Sequence, residues 1–230
     1  MTLLNTANRI YKGVNQASNV YAGTTLVWPT LSPLYAVFDA GTSSNVLITG
    51  GGLNIKNTTS GMASQGARVA DAAAKTTGKF YYEVRLTAWV TGGSVGIGGV
   101  GTTDSLFTNM QNNGTNGVML SSAGGQVWTV GTVPVAIGGR VSGDLLGFAI
   151  DLDNHRFWVR DVGRSASWNG NSGYNPATNV GGITIPSGNI VPFCTFGGVS
   201  TGPGNIVKTN FGHYSFTGAV PSGFTSGWTV

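Results

Sequence analysis

The sequence predicts an all-β protein, an antiparallel β-sandwich carrying a short N-terminal β-hairpin arm. Three observations lead there. Forty per cent of the residues are apolar and 10% aromatic, with abundant Val, Thr and Ile, while only 9% are charged, a balance suited to burying sheets. The 38 glycines are scattered beside Asn and not set at every third position, so they mark tight turns and not a triple helix. Finally, about ten short apolar stretches alternate with those turn signals, and almost nothing reads as helix.

The elements follow in order. Residues 10–29, IYKGVNQASNVYAGTTLVWP, say one phrase twice: Ile10 and Val20, Tyr11 and Tyr21, Gly13 and Gly23, and Ala17 and Val27 coincide. Two copies are too few for a stacked array, which needs about three. Near-alternation around Tyr-x-Gly predicts two short strands per copy, turning at or just after the Gly. Such hairpins are marginal alone. The arm is therefore expected to complete its core on another chain, with Tyr11, Tyr21 and Trp28 as its attachment residues. Pro29 and Pro33 stiffen WPTLSP into a linker, which divides the chain into an arm, 1–33, and a sandwich, 34–230.

Within the sandwich, strands are expected at Ala36–Phe38, Val46–Ile48, Gly78–Ala88, Ser94–Val100, Gly117–Leu120, Val127–Val130, Asp144–Asp151, Arg156–Arg160, Ile190–Phe196 and Thr209–Phe211. One Ala-rich stretch, Gln65–Lys75, is the single expected helix. In GKFYYEVRLTA, Phe80, Tyr82 and Val84 share one face and Tyr81 and Glu83 the other. Phe148 and Ile150 are expected in the same core as the first face.

From residue 60 to 224 the chain resembles the SPRY family, the concanavalin-like jelly-roll module also found in B30.2 domains. The pieces that carry the resemblance stand in the family's order. They are GKFYYEV (Gly78–Val84), VGIG (Val95–Gly98), GDLLGFAIDLDNHRFWVR (Gly143–Arg160), VPFCTF (Val191–Phe196), NFG (Asn210–Gly212) and PSGF (Pro221–Phe224). The phrase SWNGNSGYNPATNVGGITI (Ser167–Ile185) is longer than the connection in compact animal members and resembles the bacterial and phage branch. The doubled Val-Tyr-x-Gly phrase ending in Trp-Pro resembles short terminal segments of phage tail and other virion proteins. Together these resemblances imply a virion protein made in the host cytoplasm. Its arm would attach to other phage structural proteins and its sandwich would face outward, as a homo-oligomer on the particle.

Catalytic patterns are weak by comparison. GIGGVG (Gly96–Gly101) spells a dinucleotide fingerprint, but turn formers follow it where a helix must open. DLDN (Asp151–Asn154) begins like a calcium loop, yet His155 takes the place of the required Gly and no Glu closes the frame. A hairpin turn accounts for it better. The two histidines, His155 and His213, lie in no nucleophile context. Glu83, the sole glutamate, reads as an acid hydrogen-bonded inside the sandwich. Cys194 reads as a buried small hydrophobe. Neither a metal site nor a cofactor is expected. The 12 basic residues are scattered singly, so nucleic acid is a poor partner. MTLLNTANR lacks the features of a signal peptide, and no apolar run is long enough to span a bilayer.

A binding surface remains. Two turn-rich loops stand out, Thr102–Gly117 and Asp161–Gly182, the second holding Trp168, Asn169, Asn171, Tyr174 and Asn175. Aromatic faces stack on sugar rings and Asn amides both donate and accept, so these five are the candidate contacts to a host surface glycan or protein. The competing reading makes Asn and Gly turn residues and Trp168 a plug at the sandwich edge. The functional expectation is thus a phage virion structural protein, of tail or head appendage, with an adhesive sandwich. The alternatives are an architectural decoration protein with no ligand and a carbohydrate-active enzyme.

Overall fold

The duplicated phrase folds twice into the same small object. β1 (Tyr11–Lys12) pairs antiparallel with β2 (Asn15–Gln16), Tyr11 opposite Gln16. β3 (Val20–Ala22) pairs with β4 (Thr25–Trp28), Ala22 opposite Thr25. The turns expected at Gly13 and Gly23 lie outside the described residues. Residues 1–34 form one compact unit and 35–230 another. The structure is a computed structural model that describes residues 11–12, 15–16, 20–22, 25–28, 34–59, 65–89, 98–103, 117–121, 125–129, 132–164, 166–196 and 204–230. The side chains of Tyr11, Tyr21 and Trp28, and most of the Thr102–Gly117 loop, lie outside the described residues.

The second unit is a sandwich of two sheets. Its strands are β5 (Val46–Thr49), β6 (Asn54–Asn57), β7 (Gln65–Arg68), β8 (Lys79–Ala88), β9 (Gly98–Thr102), β10 (Gly117–Ser121), β11 (Gln126–Thr129) and β12 (Thr132–Ala136). They continue with β13 (Leu145–Asp151), β14 (Arg156–Asp161), β15 (Ile183–Thr184), β16 (Ile190–Phe196), β17 (Ile206–Asn210) and β18 (Thr225–Ser226). One sheet runs β15-β14-β13-β8-β17-β6-β5 and the other β12-β11-β10-β9-β16-β7. All neighbours in these orders are antiparallel, while β18 joins β8 in parallel at Phe80 and Tyr81, continuing the row that β17 leaves.

The core lies between the sheets. Phe80, Tyr82, Val84 and Leu86 point into it from β8, and Phe148 and Ile150 from β13. The rings of Tyr82 and Phe148 stack at 5.2 Å. The Tyr82 hydroxyl donates to the Gly99 carbonyl at 3.0 Å and so pins one sheet to the other. Burial holds the Tyr82 phenol well above its ordinary pKa, so it remains a donor. Gly99 is required here, because a Cβ would stand 1.9 Å from the Val118 carbonyl oxygen.

The expected helix at Gln65–Lys75 is not formed. Gln65–Arg68 is strand β7 on the edge of the smaller sheet, with Ala67 opposite Cys194, and only Asp71–Ala73 makes a single 3-10 turn. A helix this short is unstable by itself, whereas β16 offers a full ladder and the core takes Ala67 and Val69. Ala36–Phe38 is likewise not a strand; Tyr35 and Phe38 make isolated bridges to Thr229 and Val69. β6, β12, β15 and β18 were not expected, and the strand expected at Thr209–Phe211 sits earlier, as β17. Among the described residues no helix is long and apolar enough to cross a membrane.

DLDN is a hairpin turn. Asp151 accepts from the backbone and amide nitrogens of Asn154 at 2.9 and 2.8 Å and pairs with Lys79 at 2.9 Å. Burial alone would raise its pKa, but those hydrogen bonds and the ammonium hold it below the ordinary carboxylate range. His155 takes the left-handed conformation at φ 53° that closes the turn.

Phe148→Ala should cost about 3–5 kcal/mol in denaturant unfolding, through lost burial and a residual cavity; a loss below about 1 kcal/mol would contradict this packing. Because the Asp151 pKa is depressed, its stabilisation is present above the unfolded value of about 3.9 and disappears as pH falls through the folded value. Asp151→Asn should lower stability at pH 7 and flatten the acid limb of the stability profile below about pH 4.

Candidate functional site

The loop from Asp161 to Gly182 leaves the end of β14 through a charge cluster in which Arg140, Asp144 and Asp161 are buried and Arg164 is exposed. Asp161 accepts from the Arg140 guanidinium at 2.7 Å and from the Arg164 backbone at 3.0 Å. Arg164 in turn reaches Asp144 at 2.9 Å. Buried charges tolerate poor pairing badly, and the buried Arg140 meets the buried Asp144 and Asp161 here, with Arg164 reaching both aspartates from outside.

Beyond it, the chain folds back over the larger sheet. Trp168 lies under the Arg160 guanidinium at 4.4 Å and meets the edge of Tyr81 at 6.5 Å. It belongs to an outer-face cluster around Tyr81, Ala149 and Trp158, joined by Phe216, Val220 and Phe224. Asn169, 1% exposed, is in the left-handed conformation at φ 46°. Its amide oxygen accepts from the Val159 backbone at 2.9 Å, and its amide nitrogen donates to the Phe157 and Gly181 carbonyls at 3.2 and 3.0 Å. β15 covers the edge of β14 only at Arg156 and Phe157. Asn169 thus satisfies the strand edge where no neighbouring strand reaches.

One of the five candidate contacts must accordingly be corrected: Asn169 has no amide group free for a ligand. Trp168 is half-buried, with one face under a cation and a contact to Tyr81, as the edge-plug reading describes. The other three lie nearer the surface. Asn171 is exposed and its side chain accepts from Gly173 at 2.9 Å. Asn175 is exposed and caps the Pro176–Thr178 turn through Ala177 at 2.9 Å. The half-buried Tyr174 ring lies against Gly181, where any Cβ would stand 2.0 Å from it.

Tyr174 borders a depression of about 350 Å³ at the edge of the sandwich, with Gly181, Gly182 and Thr184 on one side and Thr129 and Val135 on the other. The Thr129 hydroxyl donates to the Thr184 carbonyl at 3.3 Å, bridging the two sheets at its floor. Trp158 supports it from beneath, donating to the Val180 carbonyl at 2.9 Å. An aromatic ring beside hydroxyls and bare glycine backbone can hold a polar, ring-shaped ligand by stacking and hydrogen bonds.

Glu83 is the hydrogen-bonded acid the sequence suggests. It accepts from the Tyr81 hydroxyl at 3.0 Å and from the Thr217 and Gly218 backbones at 3.1 and 2.6 Å. Cys194 is buried, and burial pushes its thiol pKa far up. His213 stands 5.5 Å from the Tyr35 ring, its pKa lowered by desolvation. Among the described residues no three His, Cys, Asp or Glu side chains gather as metal ligands. Sequence reasoning missed a second depression, on the open face of the larger sheet, because Arg85, Lys208 and Tyr214 meet only through the pairing of β8 with β17.

No protein-family model matches the chain, and no curated protein matches it. Solved structures do. The SPRY domain of human HERC1 is 14% identical with a TM-score of 0.54, covering 75% of this chain and 96% of that one. The PSpry domain of TRIM65 is 15% identical with a TM-score of 0.53, covering 76% and 92%. The sandwich is SPRY-like. At these identities the likeness is one of fold, so the SPRY-like frame carries loops and surfaces that must be read from this chain's own residues.

Asn169→Ala should destabilise the sandwich by about 2–3 kcal/mol, because it strands a buried N–H and two carbonyls together. Denaturant unfolding measures it; a loss under about 0.5 kcal/mol would mean that the strand edge finds other partners.

Proposed function

We propose that this chain is a bacteriophage virion structural protein, of tail or head appendage. Its two-hairpin arm attaches to other particle proteins, and its SPRY-like sandwich presents the depression beside Tyr174 to host surface glycan or protein. The observation that carries the reading is the division of the chain. The described core residues of the sandwich run from Ala36 to Trp228, while the first 34 residues form a unit of their own whose two hairpins are too small to be stable alone. A unit that cannot complete a core by itself suits docking onto a neighbour. The doubled phrase and the Ser167–Ile185 phrase supply the phage setting by resemblance. Production in the host cytoplasm, residence on the virion and a homo-oligomeric state on the particle belong to the same proposal.

One observation favours the architectural alternative. The amides of Asn169, Asn171 and Asn175 all serve turns or strand edges of their own loop. In that reading the sandwich packs against neighbours and binds no ligand.

Particles carrying the full chain, residues 35–230 alone, or Tyr174→Ala separate these readings. The shortened chain should keep its thermal midpoint yet be absent from purified particles, and Tyr174→Ala should be incorporated normally but reduce adsorption to host cells at least about tenfold, since multivalent display amplifies a weak single site. Normal incorporation of the shortened chain overturns the attachment role. Normal adsorption by Tyr174→Ala particles transfers the reading to the architectural alternative.

A further inference from the structure

The outer face of the larger sheet is covered over β13, β14 and the start of β8 and open over the end of β8, β17, β6 and β5. On the open part, Arg85 and Lys208 stand directly opposite each other across an antiparallel pair. Both are exposed, and neither makes an ion pair among the described residues. Like charges in this register destabilise a sheet. In a chain with few charges, such a pair is better explained by what it meets than by the fold.

The surroundings define what it meets. Tyr214 is 59% exposed, and the Lys208 ammonium lies 5.2 Å from its ring centre. Together with Ser215 and Thr217 these residues line a depression of about 220 Å³. A third exposed cation, Lys56, stands on β6 opposite Ile206. The one carboxylate in the lining is Glu83, whose oxygens already accept from the Tyr81 hydroxyl and from two backbone N–H groups of the enclosing segment, those of Thr217 and Gly218. That segment is held in place from the other side by Asn210, which accepts from the Gly212 and Tyr214 backbones and donates to the Tyr214 and Ser215 carbonyls. The hollow therefore has fixed walls and an excess of positive charge.

We propose that this hollow binds an acidic saccharide, with Arg85 and Lys208 on its anionic group, Tyr214 against the face of the sugar ring, and the Ser215 and Thr217 hydroxyls on ring hydroxyls. A small inorganic anion fits poorly. Such ions are held by converging backbone N–H groups, and here the N–H groups of Gly212, Tyr214, Thr217 and Gly218 are already committed to Asn210 and Glu83. Two exposed cations, Arg85 held by one hydrogen bond to the Gly143 carbonyl at 3.2 Å and Lys208 lying over one face of the Tyr214 ring, beside hydroxyls instead match a ligand with a charge at one end and a flat apolar face at the other. The site is separate from the Tyr174 depression, and it does not depend on the chain being mounted on a particle.

Calorimetric titration of the full chain tests it with four probes: a galacturonic acid oligosaccharide, a heparin oligosaccharide, a neutral malto-oligosaccharide of the same length, and inorganic phosphate. Either or both acidic oligosaccharides should bind, with affinity falling as salt rises, and the pattern identifies carboxylate or sulfate as the anion. Arg85→Gln and Lys208→Gln should each weaken that binding at least about tenfold, the loss expected for one charge-assisted hydrogen bond. Tyr214→Ala should weaken it too, and Tyr214→Phe should restore it. Lys208→Gln should leave the thermal midpoint unchanged or raised, since it removes a like-charge pair, so lost binding cannot be assigned to unfolding. Equal binding of the neutral oligosaccharide, binding of phosphate alone, no binding of either acidic probe, or affinity indifferent to both cation variants would each overturn the proposal.

Discussion

Tyr81 and Tyr82, neighbours on β8, are both almost wholly removed from solvent. Successive strand residues point to opposite faces, so the central strand must be covered twice. One cover is the second sheet, which supplies apolar side chains and the Gly99 carbonyl for Tyr82. The other is not a sheet, because the described residues of this unit form two layers of strands. It is assembled from irregular chain: Trp168 from the long loop, with Phe216, Val220 and Phe224 from the C-terminal segment. Irregular cover brings unpaired backbone and polar groups with it. Glu83 receives the backbone of Thr217 and Gly218, Asn169 completes the edge of β14, and the Arg140–Asp161 cluster fastens the start of the loop.

That arrangement explains what could and could not be seen in the sequence. The inner face was legible because period-two alternation in GKFYYEV and the apolar run of DLLGFAID report burial directly, and Phe80, Tyr82, Phe148 and Ile150 lie where the pattern puts them. Gln65–Lys75 misled because its alanines favour helix locally, while the ladder to β16, more than a hundred residues away, decides its conformation. Asn169 misled, and Trp168 stayed open between ligand contact and plug, for a related reason. Aromatic and amide side chains in a turn-rich segment look alike whether they face a sugar or roof a second core, and only the position of β8 beneath them separates the two cases.

Charge was the least legible property. Twelve scattered cations give no run in the linear sequence, yet folding divides them into distinct groups. Arg140 is buried against carboxylates, Arg160 lies over an indole, and Arg85 and Lys208 meet across a strand pair with no ion-pair partner among the described residues. The first two follow from the double cover of β8. The third is confined to the part of the sheet that the cover does not reach, so the same layout that makes one region of this face structural leaves the other open to solvent.

Trp228 adds a constraint of another kind. Its indole donates to the Ala73 carbonyl at 2.8 Å and its ring packs 4.8 Å from Phe80, joining parts of the chain separated by about 150 residues. During synthesis, β8 is made early and cannot be sealed until Trp228 has left the ribosome. Until then Phe80 lacks this neighbour, and contacts between residues so far apart in sequence form slowly. The moment at which this face can close is thus set by where one tryptophan falls in the order of translation.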